Sequence, residues 1–338
     1  MSVTVITARL RLAATGLACL AALSAQAAKP PHYHVAPVSS GQGETEWSAI
    51  NASGRVAGWG MFAGDQRAAV WADGVATPLD STAGVDSQAT ALNGAGDVVG
   101  YTVSSDPYTW TPVKWGADGS VTKLTAGFAQ AAAATGINDA GQVTINDSGT
   151  AWLWHDGKLK QLPTLGGRLT DANAINAKGW ITGMSTTAGE VGHAFVYKNG
   201  TMTDIGTLGL SADGRAINAK GHVAGVSYFG PTIASQHPFW WDGAALHDLG
   251  SLGGKGALAL GINAHDVVVG NSARKGSTIR HAFVYTDGRM YDLNTLLDAS
   301  GAGWELVLAS GVNDAGQIVG LGQFNGAMQG FVLTPVAP

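Results

Sequence analysis

Carboxylate side chains recur at one position of this sequence, five residues before an asparagine that ends a short apolar run. Glu46, Asp171 and Asp213 occupy that position, and Arg215 follows two residues after Asp213. Such carboxylates could hold a cation through their oxygens, or act as general acid and general base on a substrate. A solvated acidic rim is the third interpretation. The sequence leaves all three open.

Aromatic side chains concentrate in the segments whose length varies most, residues 101–110, 228–236 and 294–306. The candidate ligand-binding residues there are Tyr108, Trp110, Tyr228, Phe229, Trp304 and Glu305, joined by Phe62 and Phe324. Exposed aromatic rings next to polar groups suit sugar rings or peptide side chains. The alternative is that these rings cover the end of the hydrophobic core.

Seven asparagines mark an internal repeat with a mean spacing of about 44 residues. They are Asn51, Asn93, Asn138, Asn176, Asn218, Asn263 and Asn313. Each unit contains four predicted strands, here called A to D. The asparagine ends strand A, a short turn leads to strand B, a variable loop leads to strand C, and an Asn-Gly or Asp-Gly turn leads to strand D. An asparagine before a turn usually caps it, so we expect a structural role for all seven.

The repeat is interrupted between strands C and D. The chain ends on a strand C at residues 329–333, and residues 36–40 match the strand D of the first full unit, residues 77–81. If this N-terminal strand completes the last unit, a ring closes without a free edge. The predicted fold is therefore an all-β, seven-bladed β-propeller with four antiparallel strands per blade. An open solenoid or a split sheet is the alternative.

The N-terminus predicts export. Arg9 and Arg11 precede an apolar run at residues 12–23, and Ala25-Gln26-Ala27 resembles a signal-peptidase site. We expect a signal peptide at residues 1–27 and a single mature propeller at residues 28–338, in the periplasm or outside the cell. A buried N-terminal helix, or a lipid anchor on Cys19, are the alternatives. The mature chain would contain no cysteine and hence no disulfide.

Composition excludes several classes of function. Without Arg9 and Arg11, 17 of the 19 basic residues remain against 24 acidic ones, which argues against a nucleic-acid partner. After the N-terminal run no apolar segment is long enough to span a membrane. No phosphate-binding, zinc-protease, calcium-loop or nucleophile-elbow motif occurs. We therefore predict no cofactor, no metal and no established catalytic residue.

Three histidines begin strand C in successive units, at His193, His237 and His281. Zinc would require ligands about 2 Å from one point, and equivalent positions on separate blades cannot converge in that way. We expect them to form structural hydrogen bonds.

The segment from His193 to Gly209, which begins His-Ala-Phe, resembles a unit of the bacterial extracellular HAF repeat family. His281-Ala-Phe283 and His237-Pro-Phe239 repeat its start, whereas the first three units and the last lack the histidine. The resemblance covers essentially the whole mature chain and implies an exported repeat protein. It implies no particular activity.

Because the chain reverses direction at every strand, the A–B and C–D turns lie on one face of the ring. The variable B–C and D–A loops lie on the other face. Variable loops on a rigid scaffold usually carry the binding surface. We therefore expect a binding or scaffold protein whose ligand, a glycan, peptide or protein, binds the variable face. The alternative is an enzyme acting on polysaccharide, a lyase or glycosidase. It would use Glu46, Asp171 and Asp213, which start strand A and therefore should face the mouth of the central channel.

The export hypothesis predicts a mature protein that begins at Ala28. Intact-mass spectrometry of secreted material measures this directly. A diacylglycerol adduct on Cys19 would contradict it.

Overall fold

A computed structural model of the chain describes residues 30–40, 43–79, 86–105, 107–125, 127–128, 131–277 and 279–336. The predicted signal peptide lies outside these residues. They form seven four-stranded antiparallel sheets, so the predicted seven-bladed propeller is confirmed. Within the described part of the chain, no helix is both long and apolar enough to cross a membrane.

The chain begins with β1 (His32–Val38) and then builds the blades in order. Blade 1 contains β2 (Thr45–Ile50), β3 (Val56–Phe62), β4 (Asp65–Ala72) and β5 (Val75–Pro78). Blade 2 contains β6 (Ser87–Leu92), β7 (Val98–Ser105), β8 (Tyr108–Trp115) and β9 (Val121–Lys123). Blade 3 contains β10 (Ala132–Ile137), β11 (Val143–Asp147), β12 (Thr150–His155) and β13 (Lys158–Gln161). Blade 4 contains β14 (Gly166–Ile175), β15 (Ile181–Thr187), β16 (Gly192–Lys198) and β17 (Thr201–Gly206).

Blade 5 contains β18 (Ser211–Ile217), β19 (Val223–Tyr228), β20 (Gln236–Trp241) and β21 (Leu246–Asp248). Blade 6 contains β22 (Gly253–Ile262), β23 (Val268–Arg274), β24 (Arg280–Thr286) and β25 (Arg289–Asp292). Blade 7 takes β26 (Trp304–Val312), β27 (Ile318–Phe324) and β28 (Ala327–Val336) from the C-terminal part. Single 3-10 turns occur at Ile233–Ser235, Leu293–Thr295 and Ala299–Gly301.

The N-terminal strand closes the ring, as predicted. β1 pairs antiparallel with β28 in an unbroken register from His32↔Val336 to Val38↔Gly330. It thus forms strand D of blade 7, beginning four residues before the segment matched from the sequence. Because β28 is covered along this length, blade 7 has the same four strands as the others.

The hydrophobic core lies between blades. Seven buried clusters occur, and each combines side chains from two consecutive blades, including blade 7 with blade 1. Strand C carries a column of large, mostly aromatic side chains that contributes unevenly to the core: Trp115 and Tyr197 are buried, whereas Trp71 and Trp241 are only half-buried. A second strand C column, two residues earlier, is fully buried at Phe195, Phe239, Phe283 and Phe331.

The seven repeat asparagines form a closed ring of hydrogen bonds. Each side-chain Nδ2 donates to the backbone carbonyl of the repeat asparagine in the next blade, over 2.8–3.2 Å, and Asn313 donates to Asn51. Each Oδ1 accepts the backbone N–H four residues later, as Asn313 does from Gln317 at 3.0 Å. The predicted turn-capping role is confirmed, and the link between blades adds to it.

Removing one of these side chains should destabilise the whole ring. We expect Asn313→Ala to lower the free energy of unfolding by about 1–3 kcal/mol, because it leaves buried backbone groups without partners. Asn176→Ala should cost a similar amount, since a closed ring makes the two positions equivalent. Denaturant unfolding measures both. A silent Asn313→Ala beside a costly Asn176→Ala would show that the ring is not closed through Asn313.

Candidate functional site

Strand A of every blade carries a register shift three residues before its asparagine. In blade 5 the shift lies between Gly214 and Ala216, so Arg215 is the extra residue. A β-bulge turns the side chain of the extra residue away from the regular pleat. The bulge residues line the axial channel: Ser48, Thr90, Thr135, Asn173, Arg215, Leu260 and Ser310. Of these residues only Arg215 was predicted from the sequence. The others could have been found from their constant position, three residues before each repeat asparagine.

In six of the seven blades a glycine of the neighbouring strand B faces the bulge, whereas blade 3 has Ile145 there. In blade 5, a Cβ on Gly225 would collide with the carbonyl oxygen of Asp213, and Gly183 stands in the same relation to Asp171 in blade 4. In these blades the close approach of the two backbones requires glycine. The predicted carboxylates lie two residues before the bulge, as Asp171 does before Asn173 and Asp213 before Arg215.

Short polar bulge residues bind the next blade. Thr90 donates to the carbonyl of Ala134 at 2.8 Å, Thr135 to that of Ala172 at 2.7 Å, and Ser310 to that of Trp47. Asn173 makes the equivalent bond through its amide nitrogen, to the carbonyl of Gly214 at 2.9 Å. Leu260 has no polar side-chain atom, and the guanidinium of Arg215 bonds within its own blade, to Asp213 and Tyr228. The bulge residues in the channel wall are therefore small and polar in five blades. In blades 5 and 6 they are replaced by a cationic and an apolar side chain, Arg215 and Leu260.

A polar cluster from blades 4 and 5 surrounds Arg215. The guanidinium lies 2.9 Å from Oδ2 of Asp213 and donates to the hydroxyl of Tyr228 over 3.4 Å. Asn173 donates to Oδ1 of Asp213 at 2.6 Å and to the carbonyl of Gly214 at 2.9 Å. Three predicted site residues, Asp213, Arg215 and Tyr228, thus belong to one cluster, and Asp171 is near enough for its charge to act on Asp213 and Arg215.

Burial controls the charge of this cluster. The pKa of Asp213 is raised to about 6, chiefly by burial; Arg215 and Asn173 lower it, and the negative charge of Asp171 adds to the rise included in that value. Burial also raises the pKa of Asp171, against the influence of Arg215. Asp213 therefore changes its charge near neutral pH, where a carboxyl group can both donate and accept a proton.

A cleft of about 480 Å³ opens from this cluster between blades 4 and 5. Its walls combine Asp213 and Tyr228 with the apolar side chains of Met184, Val191 and Leu210. Glu190 lines the edge and is paired with Arg168 at 3.1 Å.

Glu46 lies apart from the other two carboxylates. It lines a cavity of about 340 Å³ at the channel mouth, together with Arg215 and Leu308, and accepts a hydrogen bond from Nε1 of Trp59 at 3.3 Å. Asp171 and Asp213 do not line that cavity. Among the described residues, no group of three or more His, Cys, Asp and Glu side chains is placed to hold a metal ion.

The predicted aromatic residues form separate pairs around the variable face. Trp110 stacks on Tyr101 with ring centroids 4.6 Å apart, and its Nε1 donates to the hydroxyl of Tyr108, which is 63% exposed. These residues lie on the long strands β7 and β8, so segment 101–110 is mostly a hairpin and not the elaborate loop expected from the sequence. Phe229 packs on His237 at 4.4 Å and remains partly exposed.

The long segment 294–306 is hydrogen-bonded to β1, the strand that closes the ring. Its Leu296 carbonyl accepts the N–H of Tyr33, and the N–H of Asp298 donates to the carbonyl of Tyr33, both over 2.9 Å. Ser300 accepts the N–H of Val35 at 2.8 Å. Much of this segment therefore holds β1.

At the end of that segment, Trp304 packs on Phe324 and Phe331, with ring centroids 5.1 and 6.2 Å apart. This arrangement corresponds to the alternative in which the aromatic rings cover the core. Phe62 likewise packs against a buried cluster.

The repeat histidines pair with aspartates of the adjacent strand D. Nδ1 of His193, His237 and His281 lies 2.9, 2.9 and 2.7 Å from Asp204, Asp248 and Asp292. The expected hydrogen-bonding role is confirmed. In blade 6 the contact extends further, because Nε2 of His281 lies 3.3 Å from Glu305.

No protein-family model and no curated protein matches the sequence, so the resemblance to HAF repeats stays a prediction. Solved structures do match. A catalytically inactive virginiamycin B lyase from Staphylococcus aureus, solved with quinupristin, is 11% identical with a TM-score of 0.56, over 90% of this chain and 100% of that one. An extracellular domain from B. thetaiotaomicron, described as part of a hybrid two-component system, is 8% identical with a TM-score of 0.54, over 91% of this chain and 40% of that one.

A puromycin-hydrolysing peptidase from Mycobacterium tuberculosis is 15% identical with a TM-score of 0.50, over 77% of this chain and 44% of that one. At these identities the likeness shows the fold alone. The differing roles of the three proteins agree with the general rule that one fold supports many functions.

The raised pKa of Asp213 predicts a measurable pH dependence. The folded protein holds this proton up to a pH of about 6, against 3.8 for an ordinary aspartate. The resulting stabilisation is complete below the unfolded value and is lost as the pH rises through about 6. We therefore expect the melting temperature of Asp213→Asn, relative to the parent, to rise between about pH 4 and about pH 7.

Asp171→Asn supplies the matched comparison. It removes a negative charge that raises the pKa of Asp213, so the Asp213 midpoint in a carboxyl NMR titration should fall. An unchanged midpoint, or a parent-to-variant difference that is flat with pH, would contradict this account of the cluster.

Proposed function

We propose that this protein is an exported β-propeller that binds a ligand at the cleft between blades 4 and 5, on the variable face. The observation that supports this most strongly is the cluster of Asn173, Asp213, Arg215 and Tyr228, with Asp171 near enough to raise the pKa of Asp213. These side chains come from two blades and meet around the one charged residue of the bulge column.

The chemistry of the cleft suits a sugar residue or a short peptide side chain. The carboxyl group of Asp213, the phenol of Tyr228 and the hydroxyls of Thr186 and Ser211 can form hydrogen bonds, and Met184, Val191 and Leu210 supply apolar contact. A volume of about 480 Å³ is in the range of small-ligand sites. Because the ring behind the cleft already holds these side chains in place, little free energy would be lost in ordering them when a ligand binds.

Export and membership of the HAF type form the second part of the proposal. They rest on the signal-peptide features of residues 1–27 and on the His-Ala-Phe units of blades 4 and 6. The His–Asp pairs support treating these units as one repeating structural element.

One observation favours the enzymatic alternative. Asp213 has a pKa of about 6 and lies beside Arg215, with Tyr228 in reach of the same guanidinium. A lyase or glycosidase acting on polysaccharide needs a residue that exchanges a proton near neutral pH. Against this, both oxygens of Asp213 already have partners in Arg215 and Asn173.

Screening the mature protein against a glycan array and a peptide library tests the binding proposal. For any glycan or peptide that binds, Tyr228→Ala should weaken binding roughly tenfold or more, because Tyr228 lines the cleft. Arg215→Gln should also weaken it, because the guanidinium holds Asp213 and Tyr228 in place. Lys178→Ala, in an A–B turn on the opposite face, is the control and should bind as the parent does. Loss of binding in the control alone would contradict the assignment of the variable face.

The same screen separates binding from catalysis. Incubating the protein with a bound glycan and following new reducing ends or unsaturated products detects turnover. Product formation that Asp213→Asn abolishes would favour the enzyme over the binding protein.

A further inference from the structure

A second groove lies on the variable face, between blades 5 and 6, with a volume of about 730 Å³. The B–C loop of blade 5 contributes one wall, and the start of β22 and the β23–β24 hairpin contribute the other. Its lining residues are Ile233, Ala234, Gly253, Gly254, Lys255, Arg274, Gly276, Ser277, Ile279 and Arg280. It shares none of them with the cleft between blades 4 and 5.

The groove is positively charged in a protein whose overall charge is negative. Lys255, Arg274 and Arg280 line it together, and no acidic residue does. Among the described residues, no carboxylate lies within 4.0 Å of any of the three cationic groups, whereas Lys114 and Lys220 elsewhere are each paired at 2.7 Å with an aspartate. The positive charge is therefore uncompensated within the described structure.

Arg280 is built into the base of the groove. Its guanidinium donates to Oδ1 of Asn271 at 2.9 Å, to the carbonyl of Ile233 at 2.8 Å and to Oε1 of Gln236 at 3.0 Å. All three acceptors are neutral, and burial lowers the pKa of Arg280. A half-buried cation held only by neutral oxygens is costly unless an anion completes it.

The walls of the groove are aliphatic. Ile233 is 68% exposed and Ile279 is 55% exposed, and both line the groove. Gly256 lets the Ile233 turn approach β22, because a Cβ there would collide with the Ile233 carbonyl. Together with the Arg280 bonds, this contact holds the exposed isoleucine at the edge of the cationic base.

We infer that this groove binds a free aliphatic carboxylate, with the anionic head near Arg274 and Arg280 and the alkyl chain along Ile233 and Ile279. Uncompensated cations favour an anion. Aliphatic walls without an aromatic ring favour an alkyl chain over a sugar, which typically stacks on aromatic side chains. A volume of about 730 Å³ encloses a small molecule. The inference does not depend on the proposed function of the other cleft.

Isothermal titration calorimetry of the mature protein with decanoate tests this inference. We expect saturable binding that weakens as ionic strength rises, because screening reduces attraction at a partly exposed site. Decyltrimethylammonium, which has the same chain and the opposite charge, should bind far more weakly. Equal binding of the two amphiphiles, or no binding of decanoate, would overturn the proposal.

Two variants examine the head and the chain separately. Lys255→Gln/Arg274→Gln and Ile233→Ser/Ile279→Ser should each weaken decanoate binding roughly tenfold, since each removes two exposed contacts. Lys123→Gln/Lys158→Gln removes two exposed charges from the outer strands of blades 2 and 3 and should bind as the parent does. An equal loss in this control would show that only net charge matters and would overturn the site.

Vesicles of phosphatidylglycerol provide the last arm. Binding to these vesicles without binding to decanoate would identify a membrane surface as the partner and contradict the small-molecule site. Asp213→Asn should leave decanoate affinity unchanged, so failure of one site is distinguishable from failure of the other.

Discussion

One asparagine side chain joins each blade to the next. It is 4–7% exposed, and every polar group of the residue has a partner: Nδ2 binds the next blade, Oδ1 caps its own turn, and the backbone carbonyl accepts from the preceding blade. Aspartate lacks the donor and glutamine is longer by a methylene, so neither replaces both bonds. Because the link runs from side chain to backbone, it is the same in every blade whatever the loops contain. The spacing of the seven strand A segments around the axis follows from it.

The bulge above this ring gives each blade one side chain in the channel. Where that residue is serine or threonine, it commonly adds a second bond to the next blade, as Thr135 does to Ala172. Arg215 is instead bonded within its own blade, to Asp213 and Tyr228. The propeller therefore departs from its symmetry at blade 5. The two clefts of the variable face lie on either side of this blade. Tyr228, at the end of β19, lines the first, and the B–C loop that follows it lines the second.

Several site residues could be found from the sequence because they keep a fixed distance from the repeat asparagine. Asp171, Asp213 and Arg215 were grouped for that reason, and the structure brings them together with Tyr228. Glu46 has the same offset but lies in blade 1, beside Trp59. The length of segment 294–306 indicated a binding loop, yet much of it holds β1. A long loop shows only that the segment departs from the repeat. Its length does not show whether it binds a ligand or another segment of the same protein.

The sequence by itself determined the number of blades, the four strands in each and the closure by the N-terminal strand, because a repeat with one missing strand has few ways to bury every edge. It also determined which face varies, since strand parity requires no coordinates. Only the tertiary structure decided which loops meet. Ile233 and Arg280 belong to two different blades, and so do Asn173 and Asp213. Their proximity depends on how neighbouring blades pack, and that packing is set by long-range contacts that no local pattern encodes.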